Sequence, residues 1–415
     1  MGHRGGRPYP RGAGGQCPAG PRQAGAVQCG ADPPGGRSVR EIRPAGGQHR
    51  PGARDPGAEA RLVISVFDHP WLGGLFAEPA LAACLGPEAV LAHMLRMEAA
   101  YARVLGAVGA VAPELAARAS AQILAASPEM GALRAGMAQD GVVVAALVRE
   151  LKAAVDPEAQ AALHKGLTSQ DVMDTATILS LRAANDLLAD GLGRLRASLE
   201  ALLDRFGDRP LTGRTRMQAA LPITVRDRVE TWALPLEAHL DRLAELRPRL
   251  ECLQFGGAAG NRAASGDLAG AISGRLAAEL DLAPTARSWQ AMRDGVAEYA
   301  SWLSLVSGTL GKMGQDAAIM ALQGIDELRL TGGGGSSAMP HKQNPVSAEL
   351  LVTLARFNAV QVSAMHQAMV HEQERSGAAW SLEWMVLPQM VMSTGRGLSL
   401  AQSLCDSIAD LGRRG

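Results

Sequence analysis

Aromatic residues are scarce in this sequence. Phe, Trp and Tyr together make up 3% of its 415 residues, so a core has to be built mainly from Ala, Leu, Val and Met. Such side chains suit close helix–helix packing better than stacked sheets. Cysteine is sparse and scattered: Cys17, Cys29, Cys84, Cys252 and Cys405 are odd in number and show no CxxC spacing. They imply neither a disulfide framework nor a zinc site, and a reducing cytoplasm fits them best. Neither sign of charge is in excess, with 41 Lys+Arg against 41 Asp+Glu. This argues against a general nucleic-acid or membrane-surface role, so an anionic ligand has to be held by a local cluster. No apolar run reaches the ~18 residues of a membrane span. The N-terminus also lacks the apolar stretch of a signal peptide.

Residues 1–60 differ from the rest. The segment MGHRGGRPYPRGAGGQCPAGPRQAG is rich in Gly, Pro and Arg and poor in apolar residues. It cannot bury enough surface to offset its ordering entropy, which predicts a disordered tail, with a basic RNA-binding tail as the other reading. The folded protein is expected to begin near Val66, in VFDHPWLGGLF. Further on, Leu188, Leu192, Leu195, Leu199, Leu202 and Phe206 recur at alternating spacings of four and three. Leu236, Leu240, Leu243, Leu246, Leu250 and Leu253 nearly repeat that stripe, with Pro235 and Pro248 expected to kink or bound it. No convincing series of alternating strand segments is present. The spacing predicts an all-α fold of long bundled helices. A helix of about 30 residues spans ~45 Å and buries several faces, which suggests oligomerisation. The expected division is a tail at 1–60, an N-terminal helical domain at 61–165 and a central bundle at 166–415. That bundle carries a loop at 332–345 and a short C-terminal helical region.

Three polar islands interrupt the helical text: HKGLTSQDVMDT (His164–Thr175), TGRTRMQAALPIT (Thr212–Thr224) and GGGGSSAMPHKQNP (Gly332–Pro345). In the first, Thr168, Ser169, Gln170 and Asp171 precede a helical run. Ser169 or Asp171 would cap that helix, and the hydroxyls, the amide and free backbone N–H groups also suit a carboxylate. In the third, Asn344 and Pro345 read as a helix start. Ser336 and Ser337 follow a glycine run, Lys342 supplies a point charge and Asn344 an amide. A serine hydroxyl becomes a useful base only when cationic groups and N–H donors stabilise its alkoxide, and a loop closing on a substrate can bring them. The run is not a phosphate-binding Walker loop, because no GxxxxGK spacing follows.

GSSAMPHKQNP resembles the signature of the fumarase/aspartase superfamily, approximately GSSxMPxKxNP. TSQDVMDT and GRTRMQAALPIT resemble that superfamily's first and second conserved regions, in the same order and wide spacing. The likeness extends from about Phe67 to the C-terminus. It implies an all-α fold with a shared helical core and a homotetramer whose active sites each take these three regions from three different subunits. It also implies reversible β-elimination through an aci-carboxylate, with the signature-loop serine as base and no metal or organic cofactor. Ser336 matches that serine, with Ser337 as the alternative. Many members carry a further small C-terminal helical domain, which is expected to be reduced or absent here.

The second island departs from the pattern. Fumarases, argininosuccinate lyases and adenylosuccinate lyases typically read GRTHxQ there; this chain reads Gly213-Arg214-Thr215-Arg216-Met217-Gln218. A guanidinium is effectively always protonated and cannot serve as an ordinary acid or base, but it can hold a carboxylate bidentately. The other reading of Arg216 is a surface arginine on a helix. The superfamily branch that tolerates losing this histidine closes a lactone within one tricarboxylate, 3-carboxy-cis,cis-muconate. HEQERSGAAWSLEWMVLPQM (His371–Met390) resembles that branch's HExERxxxxWxxEWxxLP pattern. The resemblance implies that Ser336 moves the α-carbon proton. Lys342, Asn344, Thr168 and Ser169 would bind the carboxylate that gathers charge, and Arg214 or Arg216, with His341, would neutralise the others. Gln170, Gln218, Ser337 and Met339 complete the expected binding set. His164 is a lesser candidate, because a lone histidine is more often structural. Trp380 and Trp384 read as core packing, and His371, Glu372, Glu374 and Arg375 as a network at a helix junction. The rivals are an adenylosuccinate- or argininosuccinate-type lyase and a non-catalytic scaffold. The expected partners are a small tricarboxylate and other copies of the chain, with no nucleic acid and no membrane.

Overall fold

A computed structural model of the chain describes residues 65–413 apart from 333, 336–338 and 340–341. The expected tail at 1–60 and the site candidates Ser336, Ser337 and His341 therefore lie outside the described residues. Two short helices, α1 (Gly73–Phe76) and α2 (Pro79–Leu85), lead into α3 (Pro87–Ala107), α4 (Pro113–Ala125), α5 (Met130–Asp140) and α6 (Val144–Ala154). Proline stands in the first turn of α2, α3 and α4. There its missing N–H forfeits no intrahelical bond and its φ is already helical.

The larger part is made of long helices: α7 (Ser169–Phe206), α8 (Val225–Leu250), α10 (Asp294–Met320), α11 (Val346–Gln367) and α12 (Gly377–Ser407), with the shorter α9 (Ala269–Leu280) beside α3. α7 packs on α8 and α12, and α10 packs on α8, α11 and α12. The first leucine stripe is buried along its whole length on α7. The second is buried on α8 except for the half-buried Leu240, and Leu253 lies beyond the helix end. Pro235 is accommodated inside α8, whereas Pro248 stands two residues before its last residue. Small residues let α10 and α11 approach closely: a Cβ on Gly314 would come 2.5 Å from the Ala348 carbonyl oxygen. Among the described residues no helix is long and apolar enough to cross a membrane.

Strands are few and short. β1 (Pro210–Thr215) and β2 (Gln218–Thr224) form an antiparallel hairpin. β3 (Leu328–Leu330) pairs with β6 (Ile408–Leu411), and β4 (Gly334–Gly335) pairs with β5 (Gln343–Asn344). These strands do not alter the all-α class, but they carry two of the three polar islands. The helix after the loop starts at Val346 and is flanked by Pro345, so Asn344 belongs to β5 and is not its cap.

The length of α7 sets the placing of the islands. Its 38 residues correspond to about 57 Å. Thr168 stands at its N-terminus, and the β1–β2 hairpin begins four residues after its last residue, Phe206. The strand leading into the loop 332–345 belongs to the hairpin's end: the Thr212 and Gly412 N–H groups reach Glu327, just before β3. The first island is therefore a full helix length from the other two within one chain.

Candidate functional site

The α7 N-terminus is densely built with hydrogen-bonded polar groups. Thr168 is the residue before the helix, and Asp171, three positions on, accepts the Thr168 N–H at 3.0 Å. The capping residue is thus Thr168, with Asp171 as its reciprocal partner, and Ser169 is the first helical residue. Asp171 is fully buried and also accepts the N–H groups of Gly256 (2.8 Å) and Gly257 (2.9 Å) and the Gln254 amide (3.1 Å). One carboxylate thereby straps the loop after α8 across the end of α7. The motif's spacing has a plain cause, since residues 171, 174 and 175 share one helix face. Thr175 accepts the Gln254 N–H and donates to the Gln254 carbonyl, while Asp174 binds Arg293.

Burial pushes the Asp171 carboxyl up to about 6, against the opposing pull of its four donors. Its folded value lies above the ordinary 3.8, so its contribution to stability is complete below about 4 and falls away as pH rises through about 6. Asp171→Asn removes this dependence. The stability lost on substitution should be larger at pH 5 than at pH 7.5, measured by urea unfolding at both. The opposite order would show that the four donors outweigh burial.

Arg375, in the turn between α11 and α12, closes over the same end. Its Nε donates to Gln170 Oε1 and its NH2 to Thr168 Oγ1, both at 2.9 Å, and the guanidinium stays exposed. Gln170 is fully buried, with its Nε2 on Asp174 Oδ2 and the Gln290 carbonyl. Its amide is occupied at both ends, so Gln170 holds Arg375 and does not itself face a ligand. Ser169, between the two residues that Arg375 holds, remains half-buried. A hydroxyl, an exposed guanidinium and a helix N-terminus together have the chemistry to suit an anion. Arg375, expected only as part of a structural network, is the site residue that the sequence did not assign. Its signal was the HEQER segment, but the partner is 207 positions away.

Beneath this site lies a buried ionic cluster. Arg293 donates to both Asp174 oxygens (2.6 and 3.3 Å) and to both Glu383 oxygens, and it stacks over the Trp289 ring at 4.7 Å. Burial disfavours the Arg293 charge, and Asp174 and Glu383 more than offset it, holding the guanidinium protonated. Trp380 donates its indole N–H to Asp174 at 2.9 Å and meets Trp384 edge-on, with ring centroids 4.6 Å apart.

At the other end of α7, the hairpin turns on Arg216 and Met217, with φ of 49° and 66°. Two consecutive left-handed residues are what a tight hairpin turn of this hand requires, but Asn and Gly usually supply them. Arg216, Met217 and Gln218 are exposed, with Met217 75% accessible. Arg216 is therefore on a hairpin tip and not on a helix, and no partner holds it among the described residues. Arg214 points to a different duty: its NH1 pairs with the fully buried Glu327 at 2.7 Å and also donates to the Thr212 carbonyl. It fastens the hairpin to the start of β3.

The loop 332–345 rises from the β4–β5 pair, in which Gly334 faces Asn344 and Gly335 faces Gln343. Gly332 has a left-handed backbone (φ 80°), and a Cβ on Gly334 would come 2.5 Å from Val346 Cγ2. Two of the four glycines thus answer local geometry. Lys342 and Met339 are exposed, Asn344 is half-buried, and the Lys342 N–H donates to the Met339 carbonyl at 3.0 Å. Within one chain, Thr168, Ser169 and Gln170 come together with Arg375, while Arg216, Gln218, Lys342 and Asn344 stand at the opposite end. Among the described residues no three His, Cys, Asp or Glu side chains are grouped as metal ligands.

A family model described as Lyase matches residues 89–361. The chain is 40% identical over 324 residues to 3-carboxy-cis,cis-muconate cycloisomerase from Pseudomonas aeruginosa, covering 77% of this chain and 71% of that one. The crystal structure of 3-carboxy-cis,cis-muconate lactonizing enzyme from Pseudomonas putida superposes with a TM-score of 0.78 at 36% identity, covering 82% of this chain and 77% of that one. Fumarate lyase from Mesorhizobium sp. BNC1 gives 0.76 at 31% identity over 81% and 76%. On the extent of these matches, and on the three islands that the fold positions, the chain belongs to the lyase family of the fumarase/aspartase superfamily.

Proposed function

We propose that this protein is a cycloisomerase that lactonises 3-carboxy-cis,cis-muconate, and that its active site is assembled between subunits of a homotetramer. The observation that carries the reading is Arg216. It occupies, on an exposed and strained hairpin tip, the position at which elimination enzymes of this kind place a proton-carrying histidine. Ring closure within one molecule releases no separate leaving group, so a permanently charged guanidinium is compatible with it. The names and coverage of the relatives support the same substrate. The substrate's three carboxylates call for several cations, and Arg216, Arg375 and Lys342 are exposed at the island ends.

In the proposed step a carboxylate oxygen adds to the conjugated double bond. The electron pair moves to the carbon α to a second carboxylate, which is drawn as an aci-carboxylate. Ser336 delivers the proton to that carbon and removes it in reverse. Lys342, Asn344 and the α7 N-terminus with Thr168 and Ser169 stabilise the carboxylate that gathers charge. Gln170 positions Arg375, and Arg214 positions the hairpin. The helix length that separates the islands supports assembly between subunits. It is supported by large apolar residues exposed on long helices, namely Leu234 on α8, Leu305 on α10 and Val360 on α11.

The test is turnover of 3-carboxy-cis,cis-muconate followed by ultraviolet absorbance, with adenylosuccinate in parallel. Lactone formation with no fumarate release is expected. Fumarate release from adenylosuccinate alone would favour the lyase reading instead. Arg216→His should weaken substrate binding by about thirty-fold or more, as for loss of a buried charge-assisted contact, and should not create lyase activity. Unchanged KM and kcat would mean that Arg216 faces solvent in the assembled enzyme.

A further inference from the structure

A cavity of about 130 Å³ lies farther along α7, between that helix, the last residue of α2, the start of α10 and the first turns of α12. Its α7 residues run from Asp174 to Leu181, so it begins about 8 Å and ends about 18 Å down the axis from Ser169. Three of the chain's six tryptophans, Trp289, Trp380 and Trp384, form its walls together with Ile178, Leu181 and Leu387. The Trp380 and Trp384 ring planes stand 63° apart, like two sides of a corner. The nearly inaccessible side chains of Asp174, Arg293 and Glu383 close the inner end. The half-buried Leu85 and Trp384 and the exposed Pro388 stand at the mouth.

The lining decides which molecules fit. An anion meets two carboxylates and one guanidinium, and every nitrogen of Arg293 is already engaged by Asp174 or Glu383. A cation finds its place taken as well. Indole faces attract cations, but Arg293 is the cation stacked here, 4.7 Å from the Trp289 ring centre. What remains is a mainly apolar space bounded by aromatic rings. An apolar protein cavity of about 150 Å³ takes up benzene, and offset or edge-to-face ring pairs stabilise beyond the area that they bury. A space of about 130 Å³ therefore holds one ring and not a fused pair. We propose that this cavity is a binding site for a neutral, single-ring aromatic molecule, separate from the polar α7 N-terminus. The site goes beyond the lactonisation reading and does not depend on which substrate the three islands take.

Titration of the full chain with toluene, followed by tryptophan fluorescence and by calorimetry, should show saturable binding of one molecule per chain with Kd at or below about 1 mM. Benzoate and benzylammonium carry a similar ring with a negative or a positive charge, and each should bind at least ~10-fold more weakly. Thr177→Leu locates the site. Thr177 lines the cavity, and its hydroxyl donates to the Met173 carbonyl of its own helix at 2.9 Å. Leucine there adds apolar volume to the cavity and suits the helix. The variant should melt at or above the wild-type temperature and lose at least ~10-fold in toluene affinity. No saturable toluene binding by the wild type would overturn the proposal. Unaltered toluene affinity in Thr177→Leu would overturn it too, by placing the ring elsewhere on the molecule. Benzylammonium binding as tightly as toluene would reveal a cation cage, and benzoate binding as tightly would reveal an anion subsite; either result overturns the assignment to a neutral ligand. Should Thr177→Leu fail to fold, Val296→Leu narrows the same cavity by one methylene, and unaltered toluene affinity there would overturn the site equally.

Discussion

Ser336→Ala is expected to lower kcat by at least ~10²-fold, the low end for losing a positioned acid or base. KM should change little, because Lys342, Asn344 and the helix N-terminus would still hold the substrate's carboxylates. Ser337→Ala should be milder, and the order of the two effects decides the assignment. An inactive Ser337→Ala beside a nearly normal Ser336→Ala would move the proton-transfer role by one residue. Normal turnover in both would remove the loop from the chemistry. The same variant tests the assembly of the site. β4 (Gly334–Gly335) stands at the hairpin end of the chain, while Thr168 is a full α7 length, about 57 Å, away. Mixing inactive Ser336→Ala with inactive Thr168→Ala, after dissociation and reassembly, should restore part of the activity. Full turnover by a monomer in light scattering would exclude a shared site.

Arg293→Met is expected to be the most destabilising single substitution, at about 3–5 kcal/mol in urea unfolding. The methionine fills much of the arginine's volume, so the loss reports charge more than packing. Asp174 and Glu383 are both nearly inaccessible and would be left facing each other with no cation between them. Burial already raises the Glu383 carboxyl despite the guanidinium beside it. Neutralising the remaining partners as well, in the triple variant Arg293→Met, Asp174→Asn and Glu383→Gln, should recover a substantial part of the loss. A single-variant effect within about 0.5 kcal/mol would mean that water reaches the cluster and solvates the two carboxylates.

The helices were written locally. A stripe such as Leu188–Phe206 specifies a buried face through spacing alone, and it is buried as the periodicity requires. The three polar islands were legible for a related reason: each concentrates hydroxyl, amide and cationic groups that a helical interior would not tolerate without partners. The hairpin at Thr212–Thr224 was not legible. Arg216 and Met217 take left-handed backbone without the Asn or Gly that advertises such a turn, and the strands beside them are short and carry Gly213 and Pro222. Nor could the sequence distinguish Arg214 from Arg216. Two arginines two residues apart look alike until Glu327, 113 positions later, claims one of them. Glu98 and Arg375 were hidden in the same way. Their partners, His164 and Thr168, are 66 and 207 positions distant, and neither residue carries a local sign of what it will touch. Periodicity, caps and loop chemistry are properties of neighbours along the chain, so the sequence alone determined the helical class and the three islands. Which charge meets which carboxylate, and which end of α7 each island occupies, depends on contacts between distant segments. Only the packed tertiary structure decides those, because the identity of a buried ion's partner is settled by which groups lose water together.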